Sequence, residues 1–438
     1  DAQQLKSGQN IYGQGMWAAS LRYHEGRFYI CFVANDTRKT YLYTSEKIDG
    51  PWKKQLIEGF YHDGSLLFDE DGRNYIVYGN DEIWITELNE DLTAPKKDGL
   101  HRLLVSDHKN PELGYEGSHI QKINGYYYIF LIHSLRDRWM RTEACFYSDS
   151  LEGEFTGGDV LCDDRGYCGQ GVAQGGIVDT PDGKWYAMLF QDSGAVGRLP
   201  ILLPVTWKDH FPVFGQNGHV PEEIEVHSTR PGYIYQPLVG SDDFCNGLLP
   251  RWQFNHDPDP RYYHLDALQG TYTITTREVC TELTQAVNTL TQRMSYPSCA
   301  AEVTVDASAL KEGDVAGLCA FQGCYAAVGI TKHHGKYEVL MLDKKEDGIL
   351  DMTEGTVVES HQMDFRLEAD FCNMKDEARC YYRVNKGDWL PIGTVHKLYF
   401  KLDHFTGCRF GLFCYAAEET GGSACFRDFK YYDVDEIS

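Results

Sequence analysis

Four times in the first half of the chain, a short apolar run is broken by an acidic or amide residue followed by glycine: Glu25-Gly26, Asp71-Gly72, Asn124-Gly125 and Asp182-Gly183. The runs that precede them include Ser65-Leu66-Leu67-Phe68 and Ile177-Val178. Those that follow are Arg27-Phe28-Tyr29, Arg73-Asn74-Tyr75, Tyr126-Tyr127-Tyr128 and Lys184-Trp185-Tyr186. An acid or amide before glycine, between two strand-forming runs, is the tight-turn signal of an antiparallel hairpin. The turns lie 46, 53 and 58 residues apart, which leaves each unit room for about four short strands, the content of one β-propeller blade.

Counting back eight residues from the first turn residue of each unit reaches Trp17, Asp63, Glu116 and Gln174. In a propeller the innermost strand of every blade runs beside the central axis, so equivalent positions near its start gather around one funnel. Two carboxylates, a flat aromatic and an amide would meet there, a set suited to holding a sugar and moving protons. The alternative is that both acids cap backbone amides at the blade tops and Trp17 is simple core.

After about residue 204 the blade rhythm stops. Pro204, Pro212, Pro221, Pro231 and Pro237 punctuate a stretch that reads as a linker. From Asp242 onward alternating patterns resume, as in Cys299 to Val305, Tyr337 to Leu342, Cys408 to Cys414 and Phe426 to Tyr432. Long helical periodicity is missing, so the second half predicts a β-sandwich. The expected division is a propeller over 1–235 and a sandwich over 236–438, with Trp252 and Trp389 as core or rim residues of the latter.

Composition narrows the partners. A formal charge of −24 with no basic run or stripe argues against nucleic acid and anionic membrane. No stretch of about 18 apolar residues offers a membrane span, and Asp1 to Asn10 are polar and resemble no signal peptide. The 14 cysteines fall mostly inside strand-like runs, such as Cys31, Cys145, Cys319 and Cys414, and read as reduced core residues. An acidic chain with unpaired thiols and no visible leader predicts a cytoplasmic protein. Aromatics at 13%, with 29 tyrosines, favour stacking on sugar rings, though Tyr is also a good strand residue. His133, in the run Phe130-Leu131-Ile132-His133, reads as a satisfied strand histidine.

These segments together resemble glycoside hydrolase family 43, in the branch that carries a C-terminal lectin-like sandwich. Met16-Trp17-Ala18-Ala19-Ser20-Leu21-Arg22-Tyr23-His24 resembles that family's second blade, whose Trp lines the sugar subsite. His62-Asp63-Gly64-Ser65-Leu66-Leu67 is similar to the site of a second carboxylate that tunes the acid's pKa. Tyr115-Glu116-Gly117-Ser118-His119 is similar to the general-acid motif, and Gly194-Ala195-Val196-Gly197-Arg198 to the loop whose Arg contacts substrate. Asn288-Thr289-Leu290-Thr291-Gln292-Arg293 resembles a segment of the accessory domain.

The resemblance implies an all-β chain: a five-bladed propeller, its first blade missing from this sequence, followed by a concanavalin-like β-sandwich. It implies Glu116 as general acid, Asp63 as pKa modulator, and Trp17, Arg198 and Gln174 as substrate-binding residues. Arg198 has the plain alternative of a surface ion pair, and Gln174 that of a structural amide. The family's general base is an Asp upstream of every motif found here, and Asp1 does not sit in that motif. Family members often have His where Gln174 stands, and in some that His helps hold a central metal, so no metal and no cofactor are expected. A central or sandwich-bound Ca2+ is the one addition entertained.

The implied activity is removal of terminal xylose or arabinofuranose from xylo- or arabino-oligosaccharides of plant hemicellulose by an inverting acid/base mechanism. Such an acid must hold its proton near neutrality, which burial and a neighbouring carboxylate promote. The competing reading is a catalytically silent carbohydrate-binding protein, because the base is not in this chain. A homo-oligomer is compatible with either.

Overall fold

The computed structural model describes residues 12–433, so Asp1 and the polar segment to Asn10 lie outside the described residues. Two compact units emerge, one of Gly13–Asp192 with Leu199–Thr229, the other including Ser193–Arg198 and the chain from Arg230 onward.

The first unit holds four antiparallel four-stranded blades, each strand pairing with the next in sequence. Blade one comprises β1 (Met16–His24), β2 (Arg27–Ala34), β3 (Lys39–Ser45) and β4 (Lys53–Ile57). Blade two comprises β5 (Ser65–Phe68), β6 (Asn74–Asn80), β7 (Glu82–Leu88) and β8 (His101–Ser106). Blade three follows with β9 (Glu116–Ile123), β10 (Tyr126–Ser134), β11 (Arg141–Ser148) and β12 (Thr156–Leu161). Blade four has β13 (Ala173–Asp179), β14 (Trp185–Asp192), β15 (Arg198–Lys208) and β16 (Phe211–Phe214).

All four Gly-containing turns close hairpins, by two devices. His24 pairs Arg27 and Ile123 pairs Tyr126 around two-residue loops, whose Glu25, Gly26, Asn124 and Gly125 all have positive φ, as a type I′ turn requires. At the other two only the glycine, Gly72 or Gly183, is left-handed. There Asp69 N–H bonds Arg73 O and Thr180 N–H bonds Lys184 O around three-residue loops.

Blade stacking explains the continuous apolar run of β10. Tyr127, Ile129 and Leu131 pack into a cluster with Val77 and Ile85 of blade two, whereas Tyr128 and Phe130 pack into one with Ile177 and Leu203 of blade four. A strand buried on both faces loses its apolar–polar alternation.

The prolines mislead at one point. Pro204 lies inside β15 and Pro212 inside β16, so blade four runs to Phe214 and the expected linker begins about ten residues too early. Pro212 sits on the outermost strand, where a missing N–H costs least.

The second unit is a sandwich of two antiparallel sheets. One takes the order β17 (Gln253–Phe254), β20 (Leu290–Arg293), β30 (Arg409–Ala416), β22 (Asp314–Phe321), β23 (Ala326–His333), β24 (Lys336–Lys344) and β25 (Leu350–Met352), with β26 (Thr356–Val358) also on β24. The other runs β18 (Tyr263–Asp266), β19 (Thr271–Thr275), β31 (Ser423–Asp433), β21 (Ser298–Asp306), β27 (Gln362–Asp370), β28 (Glu377–Val384) and β29 (Leu390–Lys397). Trp252 is buried and donates Nε1–H to Asp242 at 2.8 Å, while Trp389 is half-buried under the Arg383 guanidinium. The 14 cysteines are all free thiols, and Cys31, Cys145, Cys319 and Cys414 are buried in strands. No helix among the described residues is long and apolar enough to cross a membrane.

Candidate active site

The innermost strands β1, β5, β9 and β13 are tied side by side. Ser20 Oγ–H donates to Gly64 O at 2.8 Å, Ser118 Oγ–H to Asp63 O at 2.8 Å, and Gln121 Nε2–H to Ile177 O at 2.7 Å. Arg22 spans three of these strands by donating to Leu66 O and Ile120 O. Burial lowers the Arg22 pKa to about 10, and burial plus this cation lowers that of His119 to about 3. The inner strands thus enclose one cation and a neutral imidazole.

A left-handed residue lies within two residues of the start of each inner strand: Ala18 (φ 40°), Asp63 (φ 47°), Gly117 (φ 66°) and Gln174 (φ 62°). On β1, β9 and β13 the strand register slips at this point. A bulge of this kind re-aims the side chains beside it, and left-handed φ is uncommon for residues other than glycine. Glycine at 117 leaves room for Gln174: a Cβ there would come within 2.8 Å of Gln174 Cγ and Nε2.

Asp63 and Glu116 meet. With His62 they form the one group among the described residues whose histidine and carboxylate ligand atoms converge, all within 4.8 Å of one another. Asp63 is buried and the Glu116 side chain is 21% exposed. His62 Nε2 lies 3.5 Å from Glu116 Oε2 and 3.6 Å from Asp63 Oδ1, at the outer limit of hydrogen bonding from both. Glu116 raises the His62 pKa, burial works against it, and Asp63 adds to the rise. Asn80, at the end of β6, donates Nδ2–H to Glu116 Oε2 at 2.7 Å.

Of the other expected site residues, Gln174 is brought beside the acid motif, its side chain over Gly117. Its backbone N–H donates to Glu143 Oε2 at 2.7 Å. Glu143 is fully buried, with its Oε1 unpartnered among the described residues, and burial holds its carboxyl well above the usual range. Trp17 is half-buried at the matching position of blade one. Arg198 groups with the sandwich unit, where its N–H donates to Phe405 O at 3.1 Å and its guanidinium lies 4.9 Å from the Phe405 ring centre. Sequence reasoning met His62 only as part of a motif and passed over Asn80, Glu143 and Phe405. His133 is satisfied as expected, with a carboxylate at each ring nitrogen.

The first unit is thus a four-bladed assembly whose inner-strand starts gather two carboxylates, and the second is a two-sheet sandwich. Residues 1–212 match glycosyl hydrolases family 43, and residues 241–432 match the Beta xylosidase C-terminal Concanavalin A-like domain. The chain belongs to glycoside hydrolase family 43.

A putative beta-xylosidase of Xylanibacter ruminicola is 28% identical over 73% of this chain and 61% of its own length. The non-reducing end alpha-L-arabinofuranosidase BoGH43B of Bacteroides ovatus is 23% identical, covering 79% and 68% respectively. A solved structure of a bifunctional GH43-CE protein of Bacteroides eggerthii is 41% identical, with a TM-score of 0.87 over 98% of this chain and 55% of that one. The chain therefore spans less than two thirds of the first and third of these relatives.

Proposed function

We propose that this chain bears the acid of an inverting exo-glycosidase that releases terminal xylose or arabinofuranose from hemicellulose oligosaccharides. The observation that carries it is the Glu116 carboxyl at the start of β9, with Asp63 and His62 within 4.8 Å. Glu116 protonates the leaving oxygen, and Asp63, by its negative charge, favours the proton-bearing form of Glu116. An inverting acid and base stand roughly 6.5–9.5 Å apart to admit sugar and water. Asp63 is too near for that base. It is near enough to serve a retaining pair, at roughly 5–5.5 Å, but the His62 ring nitrogen lies close to both carboxylates, which favours a modulator. Trp17 and Gln174 are assigned to substrate, and the chemistry calls on no cofactor.

The base belongs to a fifth blade in this reading. Met16, Leu21 and Tyr23 of β1, with Val178 of β13 and Met188 of β14, are exposed apolar side chains on the two end blades. A further blade between β1 and β13 would cover them and supply a carboxylate opposite Glu116. A longer chain carrying that blade should hydrolyse xylobiose and release its non-reducing xylose as the α-anomer, followed by proton NMR during the first turnovers. Release of the β-anomer would make Asp63 a nucleophile and overturn the inverting reading.

A further inference from the structure

Glu116 has two oxygens, and its partners among the described residues treat them differently. Asn80 Nδ2–H points at Oε2 from 2.7 Å, and His62 Nε2 lies 3.5 Å from the same atom. No hydrogen bond or ion pair from the described residues reaches Oε1. A neutral carboxylic acid has one O–H and one carbonyl oxygen, and the carbonyl oxygen is the stronger acceptor for an amide N–H. His62 Nε2 makes no hydrogen bond among the described residues, but it faces only Asp63 Oδ1 and Glu116 Oε2, and a hydrogen on it would point at these acceptors.

We propose that Asn80 and His62 are positioning residues that fix Glu116 Oε2 as the acceptor oxygen and thereby keep the transferable proton on Oε1. The proposal rests on the reading of Glu116 as the acid. When the glycosidic C–O bond breaks, its electron pair stays on the leaving oxygen, which takes the Oε1 proton. Water adds to the anomeric carbon and gives its proton to the base. Glu116 becomes a carboxylate in that step, so the N–H groups at Oε2 bind more strongly in the transition state than before it, and their contribution falls on kcat rather than KM. The charged groups facing His62 are Asp63 and Glu116, which favour its protonation, and Arg38, which opposes it.

The placement of Asn80 depends on backbone geometry. Gly79 before it has φ 145°, and a Cβ at that position would run into the Glu82 carbonyl. Gly79 N–H also donates to His62 O at 3.0 Å. The end of β6 therefore holds His62 by its backbone and Glu116 by a side chain.

The test uses the full-length protein with Asn80→Ala, Asn80→Ser, His62→Leu and His62→Gln. Removing a donor from Oε2 favours the protonated acid, so Asn80→Ala and His62→Leu should move the alkaline limb of kcat/KM to higher pH. The kcat on xylobiose should fall, at most about 10²-fold, with KM within about twofold. Asn80→Ser and His62→Gln, which can still donate, should restore part of both. A 13C titration of the Glu116 carboxyl, comparing wild type with Asn80→Ala, or with Asn80→Ser should the alanine variant not fold, reads the same shift without substrate. An unmoved titration and an unmoved alkaline limb would overturn the proposal, as would losses confined to KM. If the titration moves as expected but the wild-type protein cleaves no pentoside, the positioning stands and the glycosidase reading fails.

Discussion

Two histidines of the propeller each lie between two carboxylates, and the contrast between them separates a poised site from a locked one. His133 gives each carboxylate its own ring nitrogen: Nδ1 is 3.2 Å from Asp107 Oδ2 and Nε2 is 2.8 Å from Asp159 Oδ1. Carboxylates only accept, so both contacts are hydrogen bonds only when both nitrogens carry hydrogen, and the pair of acids favours the imidazolium. Arg136 joins Asp107 on its other oxygen, and Tyr115 packs against the imidazole at 5.0 Å. Burial pulls the His133 pKa down, yet Asp159 and Asp107 outweigh it and the net shift is upward. His62 instead presents one nitrogen to two oxygens, close to both and tight to neither. The same residue types make a structural clamp when each acceptor has its own donor, and a proton-sharing cluster when two acceptors compete for one.

The largest effect should separate the two aspartates. Asp63→Asn removes the charge that favours the proton on Glu116, so the alkaline limb of kcat/KM should shift to lower pH. Hydrolysis of xylobiose should fall by about 10² or more, since acid assistance contributes about 10²–10⁴. Asp107→Asn should lower stability and leave the pH–rate profile in place. Profiles that moved equally in both variants would erase the distinction drawn between the clusters.

A smaller effect is expected on stability. His133 has a folded pKa above its unfolded value of about 6.5. Its contribution is therefore fully present below that value and lost as pH rises through the folded one. Replacing it with Asn should lower the unfolding free energy at pH 6 by about 1–2 kcal/mol, with the difference narrowing at higher pH. The difference is small because the Asp159 side chain is 43% exposed and its half of the clamp is screened. Denaturant unfolding at pH 6 and pH 9 would show whether the difference narrows; a constant difference would mean that the ring contributes by packing alone.

The smallest effect concerns Glu143, whose pKa burial raises well above the usual carboxylate range. The folded form then holds a proton that the unfolded chain gives up above about pH 4.3, so stability falls as pH rises through that window. Glu143→Gln keeps an acceptor for the Gln174 N–H and carries no proton to lose. The variant should match wild type near pH 4 and melt slightly higher at pH 7. A lower melting temperature at both values would contradict this account of Glu143.

The turn signals made the blades legible, and the eight-residue offset was enough to bring Asp63 and Glu116 together, because both depend on strand period and hairpin spacing. Asn80 was not legible: it follows a glycine at the far end of β6, and its contact with Glu116 arises from the backbone path at Gly79, which no apolar–polar pattern encodes. His62 was visible only as a neighbour of Asp63, since in a regular strand adjacent side chains point to opposite faces. The left-handed φ of 47° at Asp63 breaks that rule and lets both reach Glu116. Pro212 was misread because the outermost strand of a blade tolerates proline that an inner strand would not, and Pro204 because it lies within β15, where a proline signals no break.

The account turns on Glu116 as the proton donor to the leaving group, and leaving-group dependence tests that most directly. Hydrolysis of xylobiose and of an aryl pentoside with a good leaving group is measured for the full-length protein and for Glu116→Gln. The prediction is a loss of about 10²–10⁴ on xylobiose and a much smaller loss on the aryl substrate, which needs little protonation. Equal losses on the two substrates would contradict it.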